Sequence, residues 1–433
     1  MTESHRRIGF YGAVFLVVAN MLGTGIFTST GFLIADLPSR SVVLIAWVVG
    51  GVIALLGAIC YGALAKRLPE SGGEYFFLSR TIHPAAGYVG GWISLLVGFS
   101  APIAAAALAL GAYTSAWFPE GWDVRWTGTA ALLVFTGVHA IDVRRGISAQ
   151  NVIVVLKIVL IFVFVAMAAG KMDRSSMPTP TPEGGSVSAG VFAVSLVWIS
   201  FAFSGWNAAV YVGGEVRDPE RTLPRAMIVG TLVVLALYLV LNVVFLYGAP
   251  AEAIAGKPEV ARIVAEHLGG KGFADFTSGL IAVALLTSIS AMMMAGPRVY
   301  ARMAADGYLP AFIASDRPPA RNAVLLQLVV ALIMIWVPDF PDLAKYIGFT
   351  LGIGTALTVV GLIRLKMREP DKIHIPGWPW VPVLFIGFVG WVTVFGALRA
   401  KEASLWGALT ILLGVVAWRL HPSRRDAETQ SGE

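Results

Sequence analysis

Polar and apolar positions in this chain segregate over tens of residues, not over the two- or four-residue periods of a soluble fold. Uncharged or nearly uncharged runs recur at Ile8–Ala35, Ser41–Ala65, Pro84–Pro119, Trp126–Ala140, Gly146–Gly170, Gly184–Gly214, Ala226–Ala251, Phe276–Pro297, Asn322–Pro338, Tyr346–Ile363, Ile375–Leu398 and Ala403–Trp418. About 20 apolar residues suffice to cross a bilayer as a helix. The pattern therefore predicts an all-α integral membrane protein with twelve transmembrane helices. The third run is long enough to tilt strongly, while the fourth, ninth and last are short.

The loops add orientation and symmetry. About two thirds of the 32 Lys and Arg residues fall in alternate loops on the side of the N-terminus, which places that side and both termini in the cytoplasm. After the second run, Leu68 to Phe77 is amphipathic and cytoplasmic; after the seventh, Pro258 to Gly270 reads as a short external helix ending at Gly269-Gly270. Comparable elements on opposite faces, each following the second helix of five, are what an inverted-topology repeat predicts; chance likeness of two ordinary loops is the competing reading. On the repeat reading the single transporter domain, 1–433, divides into a first repeat at 8–170, a second at 184–366 and two added helices at 375–420. Met172 to Ser188, rich in Pro, Gly and Ser, is the expected external linker.

Composition agrees and removes alternatives. With 433 residues, 57% hydrophobic and 13% charged, and a mean hydropathy of +0.76, the chain is excluded from the soluble globular class. The single cysteine, Cys60, lies in an apolar run and offers neither a disulfide nor a thiolate metal site. Polar Met1 to Arg7 lead into a full-length span without a small-residue cleavage site, so the first helix is expected to be retained. The net charge of +6 resides in the loops and does not indicate nucleic acid.

Two spans carry central irregularities. In the first, Asn20-Met21-Leu22-Gly23-Thr24-Gly25-Ile26-Phe27 sets two glycines around a threonine. Glycine costs about 1 kcal/mol relative to alanine inside a helix, and broken backbone at membrane depth persists only against protein or a cavity. Gly23 to Gly25 thus read either as an unwound hinge whose freed amides hold an anion, or as a close helix crossing. In the sixth, Phe201-Ala202-Phe203-Ser204-Gly205-Trp206-Asn207 interrupts an aromatic run near its middle. Paired interruptions in corresponding helices point to a transporter's binding site. A half-helix starting near Thr24 would offer N–H groups to a carboxylate, and one ending near Phe201 to Ser204 would offer C=O groups to an ammonium. An L-amino acid satisfies both.

These residues resemble a known family, the amino acid–polyamine–organocation transporters, and within it the bacterial light-chain (L-type) amino acid transporters. The resemblance rests on Gly23-Thr24-Gly25-Ile26-Phe27, on Pro69-Glu70-Ser71-Gly72-Gly73-Glu74-Tyr75, on Phe203-Ser204-Gly205-Trp206-Asn207 followed by Glu215-Val216-Arg217-Asp218-Pro219, and on Arg298-Val299-Tyr300 with Asp306-Gly307-Tyr308. It implies the leucine-transporter (LeuT) fold, a 5+5 inverted repeat plus two C-terminal helices with helices 1 and 6 unwound at mid-membrane. It further implies that the substrate carboxylate meets the amides of Thr24, Gly25 and Gly23, that the amino group meets the carbonyls of Met21, Phe201, Ala202 and Ser204, and that Phe201 is an aromatic gate. The chain departs from the family at Gly213-Gly214-Glu215, where many relatives have two successive acidic residues, leaving Glu215 to pair with loop arginines.

One charge lies inside a span. Lys157 sits mid-way along the fifth, where a lysine costs about 3 kcal/mol on insertion scales and needs a partner. The resemblance implies that it points toward the first and eighth spans into the space of a sodium site found in relatives; carbonyls freed near Gly23 and the hydroxyls of Ser288 or Ser290 are the expected acceptors. It is read as a coupling or conformational group, against a purely structural tie. Asn20 and Asn207 are read as braces of the breaks.

The expectation for function is a secondary active transporter that exchanges neutral L-amino acids across the cytoplasmic membrane by alternating access. Proton-coupled symport and exchange of cationic amino acids or polyamines are the alternatives. The breaks themselves hold no acidic side chain for a cationic substrate. The histidines His5, His83, His139, His267, His374 and His421 are scattered at loops or span ends without catalytic or metal-ligand spacing, so neither an intramembrane enzyme, a metal site nor a cofactor is expected. No continuous polar stripe suggests a channel. A single-span partner subunit is not expected, since no external cysteine is placed to tether one.

Overall fold

The computed structural model describes residues 8–141, 146–172, 187–315, 320–337 and 340–421. Among them the regular structure is helical: α1 (Phe10–Met21), α2 (Thr24–Asp36), α3 (Arg40–Arg67), α4 (Gly73–Thr81), α5 (Pro84–Ile93), α6 (Ala101–Thr114), α7 (Val124–Ile141), α8 (Gly146–Lys171), α9 (Ala189–Phe203), α10 (Pro219–Tyr247), α11 (Ala251–Ile254), α12 (Val260–Ala305), α13 (Arg321–Trp336), α14 (Phe340–Arg368), α15 (Trp380–Arg399) and α16 (Lys401–Leu420). Ten helical stretches of the described residues are long and apolar enough to cross a membrane. The fourth and ninth expected spans are not among them: α7 carries Arg125 and His139, and α13 has 16 residues.

Which face each helix buries follows from periodicity. On α8, Val154, Lys157, Ile161, Phe164 and Ala168 are buried, whereas Val155, Leu156, Val159 and Phe162 are exposed apolar side chains of the kind that faces lipid. The buried spacing of three and four is one helical stripe, so Lys157 occupies a position where an apolar residue would otherwise pack. Small residues set the closest helix approaches: Gly50 of α3 receives Ile199 of α9, and Gly230 of α10 receives Val17 of α1.

Both loop elements contain helix. In α4, Tyr75, Phe76, Phe77 and Leu78 are buried. The helix after α11 begins at Val260 and is interrupted at Gly269 and Gly270, the latter at φ 70°, before continuing as the eighth expected span. The expected linker, apart from Met172, Val187 and Ser188, lies outside the described residues, as do Met1 to Arg7 with His5, Arg144, Arg145, Arg317 and the C-terminal tail from 422; both termini are therefore outside them.

Candidate functional site

The first interruption consists of two residues. α1 ends at Met21, Leu22 follows at φ −70°, ψ 70°, Gly23 lies outside helical geometry, and α2 starts at Thr24. Gly23 has no side chain to cap α2, so the amides of Thr24 and Gly25 open the helix without an intrahelical acceptor. A hydrogen bond from the Gly23 amide to the Met21 carbonyl (2.7 Å) folds the junction tightly.

The second interruption follows α9. Ser204 closes the helix with its amide on the Phe201 carbonyl (3.1 Å), and Gly205 turns the chain at φ 102°, a conformation that favours glycine. A 3₁₀ turn over Ala208–Glu215 completes the stretch. The two interruptions cross backbone to backbone. A Cβ on Gly25 would lie 2.3 Å from the Ala202 Cα, and one on Gly205 would lie 2.9 Å from the Asn20 carbonyl carbon. Gly25 is thus a crossing glycine as well as the second residue of α2. Gly23 is not: a Cβ there would meet Ser288 Oγ only at 3.7 Å.

Tyr238 of α10 joins the two sites, and the sequence reading did not single it out. Its hydroxyl approaches the Met21 carbonyl (2.5 Å) and the Ala202 carbonyl (2.8 Å), two of the four carbonyls expected to meet an ammonium. The only sequence signal was a polar-tipped aromatic in the apolar run Leu237-Tyr238-Leu239, which packing alone would explain. The Met21 carbonyl also accepts the Gly23 amide, which fills both of its lone pairs, so of the two it is the Ala202 carbonyl that retains one for a ligand.

Lys157 is fully buried and donates to the Leu22 carbonyl and to Ser288 Oγ (2.7 Å). Ser288 also approaches the Leu22 carbonyl (3.0 Å). The carbonyl released where α1 stops is therefore held by both groups. Ser290 does not join them. It lies two residues further along α12, on another face, and its hydroxyl pairs with His139 Nε2 at 2.9 Å; of the two serines named as acceptors for Lys157, it is Ser288 that takes the bond.

Met21, Gly23, Thr24, Gly25, Phe201, Ala202 and Ser204 all border one cavity. Asn20 and Asn207 border it too, but not as a matching pair of braces. Asn20 bonds within its own helix to the Leu16 carbonyl (2.8 Å), whereas Asn207 donates to Glu74 Oε1 (2.9 Å). Glu74 of α4 is the second group that sequence reasoning missed. It borders the same cavity and accepts from Tyr61 (2.8 Å) at Oε1 and from Tyr211 (2.8 Å) at Oε2. Burial pushes its carboxyl above the ordinary carboxylate range, and the donors Tyr211, Tyr61 and Asn207 pull it back. The motif around it was visible; that α4 would fold inward and deliver a carboxylate to the cavity was not.

Beyond the cavity, the chain before α1 and the end of the sixth stretch are tied together. Ile8 exchanges backbone hydrogen bonds with Glu215 (3.0 Å) and Arg217 (2.9 Å). Glu215 pairs with Arg298 of α12 through Nε (2.6 Å) and Nη2 (3.2 Å), so the single acidic residue left at Gly213-Gly214-Glu215 does find an arginine. Among the described residues, no group of three or more His, Cys, Asp or Glu could hold a metal ion.

A cavity bordered by two interrupted helices inside a bundle of membrane-length helices describes a multi-pass membrane protein. The chain belongs to the amino acid permease family, whose model matches residues 8–418, as the motifs of the amino acid–polyamine–organocation transporters led one to expect. Among similar proteins is the large neutral amino acids transporter small subunit 2 of Homo sapiens, 26% identical over 96% of this chain and 80% of its own length. The b(0,+)-type amino acid transporter 1 of Mus musculus is 26% identical over 97% of this chain and 88% of its own. The serine/threonine exchanger SteT of Bacillus subtilis (strain 168) is 27% identical over 95% and 94%. These relatives are transporters, not enzymes.

Proposed function

We propose that the chain is a secondary active transporter that exchanges small neutral L-amino acids by alternating access on the LeuT fold, with the two inverted repeats and twelve spans set out above. The observation that carries the reading is the crossing of the two interruptions over one cavity, with the uncapped N-terminus of α2 and the C-terminal carbonyls of α9 both bordering it. A helix N-terminus favours an anion and a helix C-terminus a cation, so the pair suits the two ends of a zwitterion. Thr24 and Gly25 would receive the carboxylate, the carbonyls of Met21, Phe201, Ala202 and Ser204 the amino group, and Phe201 would cover the side chain. Lys157 and Ser288, holding the Leu22 carbonyl, would tie the first interruption to α8 and α12 in one state of the cycle. Relatives that are by name an exchanger and neutral amino acid transporters support exchange and neutral substrates.

The bias of basic residues toward alternate loops supports, as part of this proposal, a location in the cytoplasmic membrane with both termini inside. One relative is by name a small subunit, yet the one cysteine here, Cys60, is buried; a single-span partner tethered by a disulfide is not proposed. A second reading, transport of cationic amino acids, is favoured by one observation, the Glu74 carboxylate at the cavity.

Counterflow in proteoliposomes tests the main reading. Uptake of labelled neutral amino acid that needs unlabelled amino acid inside and ignores a pH gradient supports exchange. Accumulation driven by external acid in empty vesicles refutes it in favour of proton symport, and a preference for lysine or arginine favours the cationic reading.

A further inference from the structure

Glu74 is a buried carboxylate outside the two interruptions that nevertheless borders the cavity. It sits in the first turn of α4, preceded by Gly72 and Gly73 at positive φ, which turn the chain inward from the end of α3. A Cβ on Gly73 would lie 2.2 Å from Tyr211 Cε1, so α4 approaches the sixth stretch closely enough to deliver a side chain to it.

All three partners of the carboxylate are donors: Tyr61, Asn207 and Tyr211. Asn207 can only donate here and both tyrosine hydroxyls can donate, so the ionised form, which only accepts, has a donor at each contact. Oε1 takes two of these bonds and Oε2 takes one. A carboxylate has about four acceptor positions, so one on Oε2 is left. The charge is also left without a counter-ion: among the described residues no Lys or Arg pairs with Glu74, and the arginines of α12 are engaged elsewhere, Arg298 by Glu215 and Arg302 by Glu70 and Asp306.

We propose that Glu74 sets the side-chain specificity of this cavity: its remaining acceptor position takes a hydrogen bond from a donor on a small neutral side chain, such as a hydroxyl, and its charge excludes acidic side chains. The proposal rests on the amino acid transport reading above. Backbone groups at the interruptions are common to every amino acid and discriminate nothing beyond the α-carbon; Glu74 differs from them in being a charged side chain at the same cavity. A like charge brought beside an uncompensated buried carboxylate is strongly disfavoured, while a hydroxyl offered to it forms a charge-assisted bond.

The test measures binding to the purified full chain in nanodiscs with two matched pairs, threonine against valine and asparagine against aspartate. Each pair holds size nearly constant and changes only the donor or the charge. The unmodified protein is expected to bind threonine about tenfold or more tightly than valine, the range of a hydrogen bond to a charged group, and asparagine at least about tenfold more tightly than aspartate. Glu74→Gln keeps the shape and removes the charge, and is expected to bring aspartate within about threefold of asparagine. Equal binding of asparagine and aspartate by the unmodified protein overturns the proposal without any variant. So does a folded Glu74→Gln protein that keeps the full gap, including one in which only turnover changes, because Glu74 would then merely tie α4 to the sixth stretch. Binding of no amino acid at all would instead overturn the transport reading, and this proposal with it.

Discussion

Gly25 and Ala202 meet backbone to backbone: a Cβ on Gly25 would fall 2.3 Å from the Ala202 Cα and 2.7 Å from its Cβ. The neighbour is main chain and cannot swing aside. Overpacking a well-filled core costs about 1–3 kcal/mol where side chains can shift, and more is expected here. Gly25→Ala should therefore lower the melting temperature more than Gly23→Ala, whose new methyl meets Ser288 Oγ at an ordinary 3.7 Å. Thermal unfolding of the two variants in the same detergent checks this, and equal melting temperatures would contradict it. The contact also changes what a bulky residue at Gly25 reports: it separates two helices as well as crowding an amide, so loss of binding by Gly25→Val alone does not isolate a carboxylate site.

Lys157 and Ser288 share the Leu22 carbonyl, which makes them one unit. Removing either member leaves the other to hold the end of α1. Groups in one hydrogen-bond network couple by about 0.5–3 kcal/mol. Lys157→Gln and Ser288→Ala should each slow exchange, and the double variant should lose less than the sum of the two. A double-mutant cycle on uptake rate and on melting temperature reads the coupling. Strict additivity, or uptake unchanged by Lys157→Gln, would separate Lys157 from the transport cycle.

Two carboxyls outside the spans should give the folded protein opposite responses to pH. At Glu369, the hydrogen bond from Arg67 (2.9 Å) holds the carboxyl below the usual range. Its folded value lies below its unfolded one, so its contribution is present above about pH 4.5, the unfolded carboxyl range, and is lost as the pH falls through the folded value. At Glu74, burial raises the carboxyl above its unfolded value. Its contribution is therefore present at low pH and is lost as the pH rises through the folded value. Melting temperature against pH should lose part of its acid fall in Glu369→Gln and part of its decline with rising pH in Glu74→Gln. Identical profiles for both variants and the unmodified chain would remove the assignment.

Ten of the twelve expected spans and both interruptions were legible because their signals are local: a run of uncharged residues, a pair of central glycines, a lone lysine. Lys157 could be foreseen as a group needing an acceptor, since no apolar stripe tolerates an ammonium unaided, and Ser288 was among the residues named for it. What remained hidden depends on how separate elements dock. Ser288 and Ser290 look alike in sequence, and only the rotation of α12 decides which faces Lys157. Tyr238 reads as core until α10 is laid across both interruptions. Glu74 reads as a loop charge until two positive-φ glycines turn α4 under the cavity.

Tyr238 provides a test of whether those docked carbonyls matter to every substrate alike. Its hydroxyl serves the Met21 and Ala202 carbonyls, while its ring packs edge-on against Trp47 (5.3 Å) and Phe203 (5.0 Å). Tyr238→Phe keeps the ring and deletes the donor. The Ala202 carbonyl then loses a partner, at a cost of about 1–3 kcal/mol for an unsatisfied group, the Met21 carbonyl keeps the Gly23 amide, and the tie between the two interruptions is lost. On the proposed binding mode the carbonyls face the amino group that all amino acids share, so affinity should fall by a similar factor for threonine, alanine and asparagine, with their order preserved. The ring packing should limit the drop in melting temperature to less than that of Tyr238→Ala, which also empties a core position. Competition binding across the three amino acids measures the first expectation and thermal unfolding the second. A reordering of substrates by Tyr238→Phe would mean that the hydroxyl reads the side chain instead of fixing the carbonyls.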